Sequence, residues 1–241
     1  MTNAVAMGQR LRGIRACVFD AYGTLFDVAS AAQRCSEALG EVAPRLAALW
    51  RDKQLQYSWL RAVQRRHADF WQVTGDALDF ALDALGIADP GLRERLMSLY
   101  LALDAYPEAP AVLRQLRDAG YATAILSNGS PAMLAAAVEH AGLSEMLDHV
   151  LSVEELGAYK PHPSVYQLAC DRLGLTAGAI AFVSSNGWDA WAASAFGMRV
   201  FWCNRQRQTR ERLPGNPDHE GRSLGELPAL LASLANQVSG S

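Results

Sequence analysis

Arg15-Ala16-Cys17-Val18-Phe19-Asp20 is a short apolar run that ends in an acid, and the turn Ala21-Tyr22-Gly23-Thr24 follows at once. Such a run reads as a buried strand, with Gly23 as the breaker behind it. The same grammar returns downstream. Tyr121 to Leu126 is an apolar stretch that stops at Ser127-Asn128-Gly129, and Ala179 to Val183 stops at Ser184-Ser185-Asn186-Gly187. His149 to Ser152 and Arg199 to Trp202 are further strand candidates. Between these lie helical stretches at Ala109 to Ala119, Pro131 to Ala141, Pro163 to Leu173 and Trp188 to Phe196, and a closing helix is expected over Leu224 to Val238. Glycines at 120, 142 and 174 end three of them, as glycine does where a helix terminates in left-handed backbone. Alternation of this kind predicts an α/β fold, a parallel sheet covered by helices. In open parallel sheets ligands bind at the carboxyl ends of the strands. The three polar turns, far apart in sequence, can therefore converge on one site.

One block breaks the alternation. From Ser30 to about Leu103 the pattern is helical almost throughout, in pieces at Ala43 to Val63, Ala68 to Leu85 and Leu92 to Leu103, with no strand signal between them. This predicts a core of residues 1–27 and 105–241 interrupted by a helical insertion over 28–104.

Composition narrows the function. The chain has 241 residues, enough for a substantial core, and a net charge of -3 that argues against bulk attraction to nucleic acid or anionic membrane. Arginines cluster at Arg61, Arg65 and Arg66 and again at Arg205, Arg207, Arg210 and Arg212, and both runs read as solvated surface. None of the four cysteines sits in a C-x-x-C pair, so zinc and dithiol chemistry have little support. Cys17 lies in an apolar run and reads as a small core residue. Met1 to Arg12 lacks the apolar stretch of a signal peptide, and no segment has the length to cross a bilayer. The expectation is a soluble cytoplasmic protein. There is no G-x-S-x-G, P-loop or G-x-G-x-x-G, and the five histidines are scattered without metal-ligand spacing.

Asp20, at the end of a buried strand, has the setting of a carboxylate nucleophile; the plainer alternative is an acid anchoring its turn. Lys160, in Tyr159-Lys160-Pro161, could keep Asp20 ionised, although a lysine before proline is commonly an exposed loop residue. Ser127 and Asn128 offer a hydroxyl, an amide and backbone N–H groups near a helix start, a natural anion cradle or simply an N-cap. Ser184, Asn186 and Asp189 could orient a water or hold Asp20, and Asp189 could equally be a first-turn charge.

The order of these pieces resembles the haloacid dehalogenase superfamily. Phe19-Asp20-Ala21-Tyr22-Gly23-Thr24-Leu25, Leu126-Ser127-Asn128-Gly129, Lys160-Pro161 and Ser184-Ser185-Asn186-Gly187-Trp188-Asp189 match its four motifs in turn. The resemblance covers nearly the whole chain, and it implies a Rossmann-like core with the helical block as an inserted cap. Phosphatases of the superfamily carry a second aspartate two residues after the nucleophile and further acids in the fourth motif to hold Mg²⁺. Here those positions are Tyr22 and a run with the single acid Asp189. Mg²⁺ wants several oxygen ligands, carboxylates among them, so a cap-bearing phosphatase of small metabolites is the second reading. A non-catalytic anion-binding protein would be expected to lack the nucleophile, which is present. The same departures, with Leu49 to Trp59 in the cap, are similar to the type II (S)-2-haloacid dehalogenases.

That resemblance implies a hydrolase needing no metal or other cofactor. Asp20 attacks the α-carbon of a short (S)-2-haloacid, expels halide with inversion, and the ester is hydrolysed to an (R)-2-hydroxy acid. Ser127 and the backbone of its turn would hold the substrate carboxylate, and Arg51 and Asn128 would receive the halide. Lys160 would pair with Asp20, supported by Thr24 and Ser184. Asn186 and Asp189 would position and activate water. Tyr22, Leu55 and Trp188 would wall the pocket, with Tyr166 behind them. The cap aromatics Trp50, Tyr57, Trp59, Phe70 and Trp71 read as cap core. The implied partner is the small substrate, with neither nucleic acid nor membrane, and an apolar cap helix could pair two subunits.

Overall fold

The computed structural model describes residues 13–28 and 39–236. In chain order its elements are β1 (Ala16–Phe19), α1 (Ala43–Gln64), α2 (Phe70–Ala84), α3 (Pro90–Leu99), α4 (Ala109–Asp118), β2 (Ala122–Ser127), α5 (Pro131–His140), β3 (His149–Ser152), α6 (Pro163–Leu173), β4 (Ile180–Ser184), α7 (Gly187–Phe196), β5 (Arg199–Cys203), β6 (His219–Gly221) and α8 (Glu226–Asn236). The strands form one six-stranded sheet in the order β3-β2-β1-β4-β5-β6, parallel at every pairing. β1 and β4 are buried along their whole length, which is why they read as continuous apolar runs rather than alternating ones. The sheet grows outward from β1 in both directions, so the topological switch falls there, and the carboxyl ends of β1, β2 and β4 open on one crevice.

The helices α1 to α3 add no strand to the sheet. α1 and α2 pack on each other and share buried polar links: Trp50 Nε1 donates to the Thr74 carbonyl at 2.8 Å and Gln54 Nε2 to Thr74 Oγ1 at 2.7 Å. α2 starts at Phe70 because Asp69 caps it, accepting from the Gln72 N–H at 2.8 Å. The helical layer is tied to the core side by Glu154, which accepts from the Phe70 N–H at 3.0 Å and pairs with His67 at 2.8 Å. The Tyr159 hydroxyl donates to the Ala68 carbonyl as well. The two arms joining the layers run side by side: Phe26 bridges Ala105 in antiparallel fashion, the Asp27 N–H donates to the Asp104 carbonyl at 2.9 Å, and the Tyr106 N–H to Leu25 at 2.9 Å.

Most expected elements stand within two residues of their sequence-based bounds. The helix expected to reach Leu103 ends at Leu99, since residues 100–102 turn back toward the return arm. The expected start of the helical block near Ser30 lies outside the described residues, as do Cys35 and the last two residues of the expected closing helix. β6 was not expected: His219-Glu220-Gly221 is short and polar, and only its place beside β5 makes it a strand. Reading the second arginine run as solvated surface fails for Arg205. Its side chain is 17% exposed, because its guanidinium packs over the Tyr106 ring at 3.8 Å. Cys17 is fully buried, as expected. No helix among the described residues is long and apolar enough to cross a membrane.

Candidate active site

Asp20 stands one residue beyond β1, 6% exposed, its N–H bonded to the Val183 carbonyl of β4 at 2.9 Å. Three donors hold its carboxylate. Lys160 Nζ lies 3.0 Å from Oδ1, while Oδ2 accepts from Asn186 Nδ2 at 2.7 Å and from Thr24 Oγ1 at 3.1 Å. Thr24 in turn accepts from the Ser185 N–H at 2.8 Å, so one hydroxyl joins the first turn to the fourth. A carboxylate held by three donors, one of them a cation, is anchored in one orientation.

Lys160 is 1% exposed and bridges two acids, with Asp189 Oδ2 at 2.8 Å on its other side. Burial opposes its charge, but the carboxylates of Asp189 and Asp20 outweigh that and hold the ammonium above the ordinary lysine range. Asp189 is fully buried, and its other oxygen accepts from the Tyr166 hydroxyl at 2.7 Å. Burial raises the Asp189 pKa, Lys160 opposes that and Asp20 reinforces it; the net direction is upward. The ammonium lies between the two acids that could have shared a metal. Among the described residues no group of three or more His, Cys, Asp or Glu is placed to hold one.

The plainer readings fare differently: Asp20 does anchor its own turn through Thr24 and Asp189 does stand in the first turn of α7, whereas Ser127 and Asn128 are not helix caps. α5 is capped by Ser130, which leaves Ser127 and Asn128 free for other work. Ser127 Oγ accepts from the Gly129 N–H at 3.1 Å, and Asn128 Oδ1 from the Lys160 N–H at 2.9 Å. Asn186 is the N-cap residue of α7 yet makes no side-chain cap bond, because its amide is turned to Asp20. Among the described residues, Ser184 Oγ bonds within its own turn, accepting from the Asn186 N–H at 3.1 Å and donating to the Asn186 carbonyl at 3.4 Å, and not to Asp20 or Lys160.

Asp20, Tyr22, Arg51, Phe70, Ser127, Asn128, Lys160, Asn186 and Trp188 line a small cavity of about 10 Å³, room for about one water. Arg51, on α1, bonds Gln54 Oε1 at 2.7 Å and Asn186 Oδ1 at 3.3 Å. It forms no ion pair with a carboxylate among the described residues. Among the described residues the buried Tyr22 hydroxyl has no hydrogen-bond partner, and a Cβ at Gly129 would meet its ring at 2.8 Å, so glycine at 129 makes room for it. Leu55, half-buried on α1, is not in this lining. Phe70 is, in addition to its expected place in the packed core: it is 1% exposed and also lines the cavity. Trp59 departs from its assignment to the cap core, standing 36% exposed with its ring edge-on to Trp188 at 5.5 Å. Sequence reasoning missed Gln54, which orients Arg51. The i,i+3 spacing of the two on a helix was the available signal.

A fixed carboxylate and a buried ammonium thus meet at the switch point of a parallel sheet, under a helical layer. The family described as haloacid dehalogenase-like hydrolase matches residues 14–197, and the chain belongs to it. Within that class its relatives are narrower in name. It is 49% identical to (S)-2-haloacid dehalogenase 4A of Burkholderia cepacia, over 94% of this chain and 98% of that one. It is 48% identical to (S)-2-haloacid dehalogenase 1 of Pseudomonas sp. strain CBS-3, over 92% and 98%. A solved structure of the L-2-haloacid dehalogenase of Xanthobacter autotrophicus, with chloropropionic acid covalently bound, is 39% identical with a TM-score of 0.85, over 91% and 98%.

Proposed function

We propose that this protein is an (S)-2-haloacid dehalogenase that works through an ester on Asp20. The observation that carries the reading is the anchored Asp20 carboxylate, held by Lys160, Asn186 and Thr24 beside a cavity that also receives the Arg51 cation. A carboxylate oxygen of Asp20 attacks the α-carbon from the side opposite the halogen. The carbon–halogen bond breaks as the carbon–oxygen bond forms, and the halide leaves with the bonding pair. Back-side displacement inverts the centre, so an (S)-acid gives an (R)-hydroxy acid. Water then attacks the Asp20 carbonyl carbon, and the hydroxy acid departs with the original carboxylate oxygen.

The other roles follow from charge and access. Ser127 and the N–H groups of its turn would bind the substrate carboxylate. Arg51 and Asn128 would take the halide, an assignment favoured by an arginine at the cavity that has no carboxylate partner among the described residues. The unpartnered Tyr22 hydroxyl is a donor that a substrate oxygen could satisfy; leaving it unmade costs about 1–3 kcal/mol. Asn186 and Asp189 would guide the hydrolytic water, with Ser184 shaping their turn and Tyr166 holding Asp189. Tyr22, Phe70 and Trp188 would wall the pocket; Leu55 would join them only after movement of α1. In this reading 28–104 is a cap closing on a core of 1–27 and 105–241. The cavity has room for about one water, so the cap-side Arg51 and Phe70 must shift to admit an acid.

Stereochemistry and metal dependence test the reading together. L-2-Chloropropionate should give D-lactate and chloride, with activity intact after exhaustive EDTA treatment. Loss of activity that Mg²⁺ restores, or release of phosphate from phosphorylated metabolites in place of halide, would favour the phosphatase reading instead.

Arg51→Ala should lower kcat by on the order of 10²–10³, the scale at which removal of one charge-stabilising group acts in a preorganised site. Near-wild-type chloride release by this variant would move the halide elsewhere.

A further inference from the structure

Arg205 lies just beyond β5 and does not line the substrate cavity, yet it reaches both arms of the chain that join core to cap. On the outgoing arm its Nη2 donates to the Thr24 carbonyl at 3.2 Å. On the return arm its guanidinium packs over the Tyr106 ring at 3.8 Å and Nη1 pairs with Glu108. Glu108 is itself held by the Ser223 hydroxyl at 3.1 Å. One planar group thus contacts residues 24, 106 and 108, across the junction where Phe26 bridges Ala105.

The contact with Thr24 carries the consequence. Thr24 is fully buried; its hydroxyl donates to Asp20 at 3.1 Å and accepts from the Ser185 N–H at 2.8 Å. Its side chain can keep those directions only while its backbone is held in place. The turn's own bonds, Thr24 N–H to Ala21 at 3.2 Å and Leu25 N–H to Ala21 at 2.9 Å, hold it from the strand side. Arg205 holds the carbonyl from the other.

We propose that Arg205 is a positioning residue for the nucleophile: by clamping Thr24 and the return arm together it sets the aim of Asp20 and couples that aim to the seating of the cap. The proposal rests on Asp20 being the nucleophile, as argued above. Its geometry needs a forked, planar cation. Lysine could keep the charge opposite Glu108 but not also donate to Thr24 and cover the Tyr106 ring.

Two variants, Arg205→Lys and Arg205→Met, test this. The readouts are steady-state chloride release, the single-turnover rate of Asp20 alkylation, and Tm. Misaiming a reacting group by a fraction of an ångström to an ångström can cost about 10²-fold. Both variants are therefore expected to lose between about 10-fold and 10²-fold in kcat and in alkylation rate. KM should change by less than about 3-fold, because the substrate carboxylate is held from the Ser127 turn, and the loss should persist well below Tm. Arg205→Lys keeps the pair with Glu108 and is expected to fold, so it decides the matter even if Arg205→Met is insoluble. Full recovery of kcat in Arg205→Lys, or a lowered Tm with alkylation at the wild-type rate, would overturn the proposal and leave Arg205 as a structural ion pair. If the wild-type enzyme itself neither releases halide nor alkylates Asp20, the nucleophile assignment fails, and this proposal with it. An active wild type with unimpaired variants overturns this proposal alone.

Discussion

Asp20→Asn is expected to lower chloride release from 2-chloropropionate by on the order of 10⁴-fold or more, as removal of a covalent nucleophile does, while leaving the fold in place. The substitution preserves shape and removes the charge and the attacking oxygen. Lys160 keeps Asp189 at 2.8 Å, so no buried cation is left alone. Loss of activity by itself is ambiguous, because an amide opposite Asn186 and Thr24 also disturbs two hydrogen bonds. The decisive measurement is a single turnover of the wild-type enzyme in H₂¹⁸O with enzyme in excess. Ester hydrolysis at the Asp20 carbonyl puts the water oxygen into the enzyme, so the peptide containing Asp20 should gain label and the lactate should stay largely unlabelled. Direct attack of water on the α-carbon gives the opposite distribution and would reduce Asp20 to an orienting residue.

How far the sequence could be read depended on whether a feature was local. The buried strands announced themselves because a parallel sheet covered on both faces demands unbroken apolar runs, and Ala16–Phe19 and Ile180–Ser184 supply them. The turns that end them carry the polar groups, so Asp20, Ser127 and Asn186 were visible as candidates. Their convergence could be expected from topology alone. What was not local could not be read. β6 has no apolar signal, and Arg205 looks like any other member of a charged run until Tyr106 and Glu108 are brought beneath it. Phe70 sits in an amphipathic helix whose buried face serves the cap interior and the cavity at once, a distinction periodicity does not make. Leu55 shares a helical face with Arg51 by spacing, but only Arg51 lines the cavity, and spacing along a helix does not say which side chain is long enough to reach a site.

The second large effect is expected at Lys160, and it should appear in stability as well as rate. Lys160 is 1% exposed between two carboxylates. Lys160→Met leaves those acids buried without their shared cation, a change that costs about 3–5 kcal/mol where one partner of a buried ion pair is removed. Chloride release should fall as well, since the nucleophile then loses the cation paired with it. The pH dependence separates this cause from simple loss of packing. Burial already raises the Asp189 pKa and Lys160 opposes it, so removing the ammonium raises that carboxyl further. A carboxyl whose folded value exceeds its unfolded one makes the native state bind the extra proton between the two, so stability falls as pH rises through the folded value and returns on acidification. The deficit of Lys160→Met should therefore shrink in mildly acidic buffer and widen toward neutrality. At the alkaline end the sign reverses. The wild-type ammonium is held above the ordinary lysine range, so its contribution is complete below that range and is lost as pH rises through the folded value. The variant has no such loss, and the two stability curves should converge there. Chemical denaturation across this range reads both limbs. A deficit independent of pH would mean that Lys160 matters as packed hydrocarbon rather than as the charge between Asp20 and Asp189.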